Sequence, residues 1–394
     1  MTYPTTGERL KLSRRRISTA TTATSAEPTR PPVRRGKLLI CCGNSGEDVG
    51  LRLLAHAWRD GYDLPAIFIN NDHLGPTPLQ VHVPGRGSVS VTATDRFVLG
   101  AEGNTRDLIK EYPLLVKRYL EGGLLRGVPV FETYNRGGRG GHAIPTITVM
   151  DIDLHIEALY GHLRRSLQWL SGEPQRRTAA SDLEILLTLQ NSQQEASAES
   201  WIIVVPVGGT GSCGNGCAQT IPYLIRHILH ELGIRNYELW LVVLGPRAFT
   251  GLTAYVQHNY LALLHSLDYM AEHGQRRAYL NGITIDTDAP PCDRLFLLDD
   301  PLLPSQGASV TEQEMQRFLD RAALSLHLLL NTDAYDVIAS HAANPLDLTQ
   351  DQRIRWLHTV NGTVAGVERE GLLELVTQTL EARLLERFMT RLAS

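Results

Sequence analysis

Two stretches of this chain, Lys37-Leu-Leu-Ile-Cys-Cys-Gly43 and Ser200-Trp-Ile-Ile-Val-Val-Pro-Val-Gly-Gly209, are continuous apolar runs that stop on glycine. A strand that is apolar at nearly every position must be buried on both faces, and a parallel sheet covered by helices on both sides provides that burial. An amphipathic helical pattern follows the first run, with Val49, Leu51, Leu53, Leu54, Ala57 and Trp58 on one side. Further apolar runs at 66–70, 96–100, 238–245 and 295–300 alternate with helical patterns near 105–122, 151–171, 215–232, 254–273 and 311–330. This alternation predicts an α/β fold with a parallel, Rossmann-like sheet. In such a sheet ligands sit beyond the carboxyl ends of the strands, where the glycines lie.

Composition narrows the class. Of 394 residues, 43% are hydrophobic and 20% charged, enough apolar material for a sizeable core. The net charge of −4 gives no general basis for a nucleic-acid partner. No apolar run approaches the ~18 residues that a membrane span needs, and the opening MTYPTTGERLKLSRRR is too polar for a secretory signal. The five cysteines (Cys41, Cys42, Cys213, Cys217 and Cys292) are odd in number and fall inside strand or helix patterns. They read as buried thiols in a reducing cytoplasm, not as a disulfide frame.

Four zones are expected. Residues 1–36, rich in Thr, Ser, Pro and Arg, form a disordered basic tail; Arg14, Arg15, Arg16, Arg34 and Arg35 offer contacts to an acidic partner. Residues 37–310 carry the alternating pattern, with a polar insertion at 172–199. Residues 311–336 make a long central helix and the loop after it. Residues 337–394 read as a small, shortened C-terminal α+β unit, strand-like at 353–368 and then helical. The chain shows no internal repeat.

The strongest local signal is Val207-Gly208-Gly209-Thr210-Gly211-Ser212-Cys213-Gly214, between a buried strand and a helix. Glycines let backbone N–H groups approach phosphate oxygens, the hydroxyls of Thr210 and Ser212 add donors, and a helix N-terminus favours negative charge. Gly209 to Gly214 also satisfies the dinucleotide fingerprint G-x-G-x-x-G, but that reading wants an acid ending the next strand, and here Leu244-Gly245-Pro246 ends it. No Gly-Lys-Ser/Thr follows, so this is not a Walker loop, and Thr210 stands where a nucleophile elbow needs glycine. His227, His230 and Glu231 lack a third metal ligand, and Cys213 with Cys217 lacks a second pair; no protein-held metal site is expected.

The central GGTGS of this loop resembles the tubulin/FtsZ signature (G/A/S)GGTG(S/A)G, departing from it at Val207 and Cys213. The resemblance extends along the chain in the family's order. Gly43-Asn44-Ser45-Gly46-Glu47-Asp48-Val49-Gly50 looks like the first nucleotide loop, G-x-x-G-N-x-x-G, with Glu47 in place of the asparagine. Phe68-Ile-Asn-Asn71-Asp72 resembles the second loop. Arg96-Phe-Val-Leu-Gly100-Ala-Glu-Gly103-Asn104 is similar to the segment that contacts the γ-phosphate, with Arg136-Gly-Gly-Arg139-Gly-Gly141 as an alternative for that contact. Asn259 looks like the family asparagine that holds guanine, and Asp300 stands where a second base-holding residue falls. A carboxylate there would accept from guanine N1–H and the exocyclic amine together. Asn331-Thr332-Asp333-Ala334-Tyr335-Asp336 resembles the N-x-D-x-A-D catalytic loop.

The resemblance implies a bacterial tubulin-like, cytoskeletal GTPase that binds GTP or GDP, with Mg²⁺ held mainly by the phosphates. It implies a head-to-tail homopolymer in which Asp333 and Asp336 reach the γ-phosphate held by the next subunit and polarise the attacking water. Phosphoryl transfer needs such an oriented water and neutralised oxygens. The altered ends of the signature and the shortened C-terminal unit suit an alternative, a non-polymerising GTP-binding scaffold or regulator with little hydrolysis. A nicotinamide-dependent oxidoreductase is the third class, disfavoured by the missing acid after Leu244.

Overall fold

The computed structural model describes residues 35–61, 64–83, 87–99, 110–121, 141, 143–168, 170, 200–249, 255–300, 310–331 and 357–359. Its main sheet has seven strands: β1 (Arg35–Cys42), β2 (Ala66–Asn70), β5 (Arg96–Val98), β6 (Ser200–Gly208), β7 (Tyr237–Leu244), β10 (Arg294–Leu298) and β11 (Leu357–Thr359). Two hairpins, β3 (Leu79–Val83) with β4 (Gly87–Val91) and β8 (Gln275–Ala278) with β9 (Thr284–Thr287), stand outside it. The sheet order is β11-β10-β7-β6-β1-β2-β5 and every neighbouring pair is parallel.

The strands are apolar throughout because alternate side chains feed two different cores. On one face Leu38, Ile40, Ile67, Ile69, Ile203, Val205, Leu241 and Val243 pack against α3 (Ile156–Gln168), α5 (Ile221–Glu231) and α6 (Val256–His273). On the other, Leu39, Cys41, Phe68, Val204, Trp240, Val242 and Phe296 pack against α1 (Gly43–Arg59) and α7 (Glu312–Asn331). This is the doubly covered parallel sheet expected from the sequence.

Local differences have physical causes. β1 begins at Arg35 inside the expected tail, because Arg35 and Gly36 pair with Ser200 and Trp201 and the Trp201 ring occupies the space beside Gly36. The single helix expected at 151–171 is two, α2 (Pro145–Leu154) and α3, broken at His155. Near 105–122 the described part is a short helix, Pro113–Leu115, that runs into a π-helical turn at Val116–Glu121. β11 falls within the expected 353–368 strand and pairs with β10 on the main sheet. The rest of 337–394, the insertion at 172–199 and the tail lie outside the described residues.

Two polar clusters brace the layers. At the end of α2, Asp153 is fully buried and accepts from Arg118 Nη1 (2.6 Å), Tyr119 Oη (2.7 Å) and Arg277 Nη2 (2.8 Å). Asp153 thereby joins α2, the π-helical turn and the β8–β9 hairpin. Near the amino end of β1, Lys37 Nζ donates to Asn331 Oδ1 at 2.7 Å. Asn331 contacts His327 Nδ1 at 2.9 Å, and His327 Nε2 lies 2.6 Å from Asp60 Oδ2. The end of α7 is therefore fastened to the end of α1 and the start of β1. All five cysteines are free and buried, as the sequence suggested.

Replacing Asp153 by Ala leaves Arg118 and Arg277 without their buried counter-charge and should cost ~3 kcal/mol or more, read as a lower urea midpoint. His56 beside His327 gives a pH signature. Burial first, then Arg59 and His327, lower its pKa to about 4, against the opposing pull of Asp60 and Asp320. The unfolded chain protonates this imidazole as pH falls through ~6.5. The folded one resists until about 4, so the stability it contributes is full above that range and lost on acidification. The fall in Tm from pH 7 to pH 4.5 should be smaller in His56→Asn than in the original chain; equal falls would remove His56 as a cause.

Candidate functional site

Strand order runs outward from the middle of the sheet in two directions, through β1, β2 and β5 on one side and β6, β7, β10 and β11 on the other. The reversal lies between β1 and β6, and a crevice opens beyond their carboxyl ends at such a switch point. Both glycine loops leave the sheet there, since Cys42 is in register with Val207. The resulting cleft, ≈ 280 Å³, is lined by Gly43, Asn44, Ser45, Asn70, Asn71, Asp72, Gly141, Ala143, Gly208, Thr210, Gly211, Ser212, Cys213, Gly214 and Phe249.

The loops meet backbone to backbone. Gly43 has φ +73°, and a Cβ on it would stand 2.7 Å from the Gly214 nitrogen. A Cβ on Gly214 would in turn collide with the Gly208 carbonyl oxygen and stand 2.6 Å from its nitrogen. No side chain larger than hydrogen fits this junction. Neither helix that starts here, α1 or α4 (Ser212–Ala218), has a side-chain cap from its N-cap residue, Cys42 or Gly211. First-turn N–H groups thus face the cleft without a capping oxygen.

A hydrogen-bond chain fixes the wall. Asn71 Nδ2 donates to Thr148 Oγ1 (2.8 Å), Thr148 and Ser212 hydroxyls lie 2.7 Å apart, and Ser212 Oγ donates to Ile144 O (3.0 Å). Ser212 therefore spends its proton on the wall and offers an oxygen, not a donor, to anything in the cleft. Asn259 Nδ2 donates to Thr210 O (2.9 Å) and Ala143 O (2.7 Å), while Asn215 Nδ2 holds Gly209 O (3.1 Å). The glycine loop is tied down from outside by two asparagine amides.

Among the described residues, Asp72 is the charged side chain on this wall. Among the described residues no group of three or more His, Cys, Asp or Glu could hold a metal ion. The Cys213 thiol, on the wall, is pushed well above its ordinary pKa by its hydrogen bond with Cys217 and by burial. It stays protonated and unreactive.

The expected site residues thus separate into groups. Gly43, Asn44, Ser45, Asn71, Asp72, Gly208, Thr210, Gly211 and Ser212 come together in the cleft. Gly46 sits behind it, facing the Pro206 carbonyl, and Gly209 packs on Tyr260 and Val243. Asn259 touches the glycine loop from α6 without lining the cleft. Asp300 is buried and ion-paired with Arg321 of α7. Of the two candidate γ-phosphate segments, the second reaches the wall at Gly141, whereas Gly103 and Asn104 lie outside the described residues, as do Asp333 and Asp336. Phe249, Asn70 and Ala143 were not anticipated. Phe249 follows the carboxyl end of β7, so its position relative to a glycine-ended strand was the available signal.

No protein-family model and no curated protein matches the chain. Solved structures similar to it include CetZ and TubZ proteins. One is CetZ2 from Haloferax volcanii, a GTPγS-bound protofilament, at 15% identity and TM-score 0.39 over 77% of this chain and 62% of that one. A second is a GTPγS-form protofilament of TubZ from Bacillus thuringiensis, at 14% identity and TM-score 0.33 over 75% and 56%. A third is TubZ of Clostridium botulinum phage c-st, at 12% identity and TM-score 0.36 over 77% and 64%. The chain spans less than two thirds of each. No helix among the described residues is long and apolar enough to cross a membrane.

Gly214→Ala should push the two loops apart. The expected result is a loss of ~1–3 kcal/mol in stability, read as a lower melting temperature. An unchanged melting temperature would mean that the loops do not touch as described.

Proposed function

We propose that this chain binds a guanine nucleotide, as GTP or GDP, in the cleft at the β1–β6 switch point, and hydrolyses GTP between subunits of a head-to-tail filament. The observation that carries the second half is where α7 ends. Asn331, the residue before the loop that holds Asp333 and Asp336, is bonded to Lys37 near the start of β1, whereas the cleft lies beyond that strand's other end. From Lys37 to Gly43 the strand covers six residues, or ~20 Å at ~3.3 Å each. Asp333, two residues past Asn331, extends ~7 Å at most. On that reach Asp333 would fall short of its own subunit's cleft, whereas a second copy stacked in the same orientation would bring its loop there; Asp336 joins it on motif order alone.

The binding half rests on first-turn amides without a side-chain cap from the N-cap residue and on close-packed glycines, both suited to phosphate oxygens. The choice of guanine rests on the order of the motifs. Mg²⁺, held mainly by the phosphates, would neutralise charge on the transferred group. This chain's own work is to seat the phosphates, exclude bulk water and present Asp333 and Asp336 to orient the attacking water. The basic N-terminal segment remains a proposed contact for an acidic partner.

GTP turnover per subunit should rise from near zero above a threshold protein concentration, and Asp336→Ala should lower it by ~10²-fold or more while GTP still binds. A rate per subunit that is flat across concentrations would replace this mechanism with a nucleotide-binding scaffold. Failure of GTP to outcompete ATP would remove the guanine assignment.

A further inference from the structure

Glu47 stands where the resembled pattern has asparagine, and the fold gives it a partner. It lies just past the first turn of α1, 1% exposed, behind the loop that forms one wall of the cleft. Its Oε1 accepts from Arg96 Nε at 2.7 Å and its Oε2 from Asn70 Nδ2 at 2.7 Å. Arg96 comes from β5, beyond β2, and its side chain is 12% exposed. The rest of its guanidinium is surrounded by successive carbonyls of one loop: Nη2 donates to Asp72 O (2.7 Å) and Leu74 O (3.0 Å), and Nη1 to His73 O (3.3 Å).

This arrangement links both nucleotide loops. Asn70 Nδ2 also donates to Asn44 Oδ1 at 2.6 Å, so the amide that holds Glu47 holds a cleft residue as well. Asn70 Oδ1 accepts from the Asp72 amide (3.2 Å), and Asp72 Oδ1 accepts from the Leu74 amide (3.0 Å). Asn44, Asn70 and Asp72 all line the cleft. A loop whose carbonyls converge on one side is not held by packing: His73, Leu74 and Gly75 are exposed. Two side-chain bonds hold its amides, and its carbonyls converge on one cation, Arg96, which the buried Glu47 carboxylate fixes in place.

We propose that Arg96 is a positioning residue of the nucleotide cleft. Anchored by Glu47, it sets the Asp72–Leu74 backbone in its binding shape before nucleotide arrives. Glu47 and Arg96 act as one unit, so the departure from asparagine at 47 is compensated by the arginine at 96. Preorganising a rim in this way raises affinity by removing the ordering cost from the binding step. Lysine cannot substitute, because a single ammonium does not span a carboxylate and three carbonyls as a planar fork does.

The inference rests on the nucleotide reading of the cleft, and two measurements on the full-length chain separate them. The first, without nucleotide, is hydrogen exchange at the Asp72 and Leu74 amides, which Arg96→Lys should accelerate roughly tenfold. The second is the Kd for a fluorescent GTP analogue, which should rise roughly tenfold in the same variant, while exchange across β6 stays as it was. A purely structural role would alter exchange throughout the sheet and leave the Kd of the folded fraction unchanged. If Arg96→Lys does not fold, the charge-free pair Glu47→Gln with Arg96→Met takes its place, with the same two expectations. Unchanged exchange at 72–74, or a Kd within twofold of the original, overturns the proposal. Absence of binding by the original chain overturns the nucleotide reading itself.

Discussion

The contact among Gly43, Gly208 and Gly214 is the constraint on which the molecule's other features depend. Two parallel strands lie side by side at 4.7–4.9 Å, and the chain leaves both at the same level because Cys42 and Val207 are in register. α1 leaves toward one face and the segment leading to α5 toward the other. Right-handed crossovers on opposite faces force the two exits apart and open a crevice. For backbone amides to line it, the turns must first pass within contact of one another, and only glycine allows that. The two cores, the direction of α1 and the position of the asparagine clamps all follow from that passage.

Much of the fold was legible because it rests on one-dimensional signals. Continuous apolar runs gave the central strands to within a residue or two at most ends, and glycine marked where each met the cleft. The hairpins were missed although β3 (LQVHV) and β4 (GSVSV) alternate apolar and polar residues as half-exposed strands do; each is only five residues long, too short for the pattern to stand out. The start of α2 at Pro145 was missed although proline in a first turn is a known opening signal. The Glu47–Arg96 pair joins residues 49 apart in the chain, with no periodicity to betray it. Asn259 was read as a base contact, whereas its amide in this fold is spent on two carbonyls of the wall.

The two ends of the sheet divide the labour. At the carboxyl end are close-packed glycines and amides without caps, suited to an anion. At the amino end, the cluster of Lys37, Asn331, His327 and Asp60 gathers the ends of β1, α7 and α1. α7 spans the distance between them as a single rod of 20 residues, ~30 Å long at ~1.5 Å each. It carries Arg321 against Asp300 beyond the end of β10 and Asn331 at the far end.

The glycine junction also divides the site by how freely it can change over generations. At Gly43 and Gly214 backbone is packed on backbone, so nearly every substitution there meets steric overlap before chemistry is tested. The rim is different. Asn44 is exposed and Asp72 half-buried at the cleft, and neither position packs backbone on backbone. Drift in ligand preference would therefore accumulate at the rim while the floor stays fixed. Descendants of this chain could come to differ in what the cleft accepts while keeping the same glycine floor.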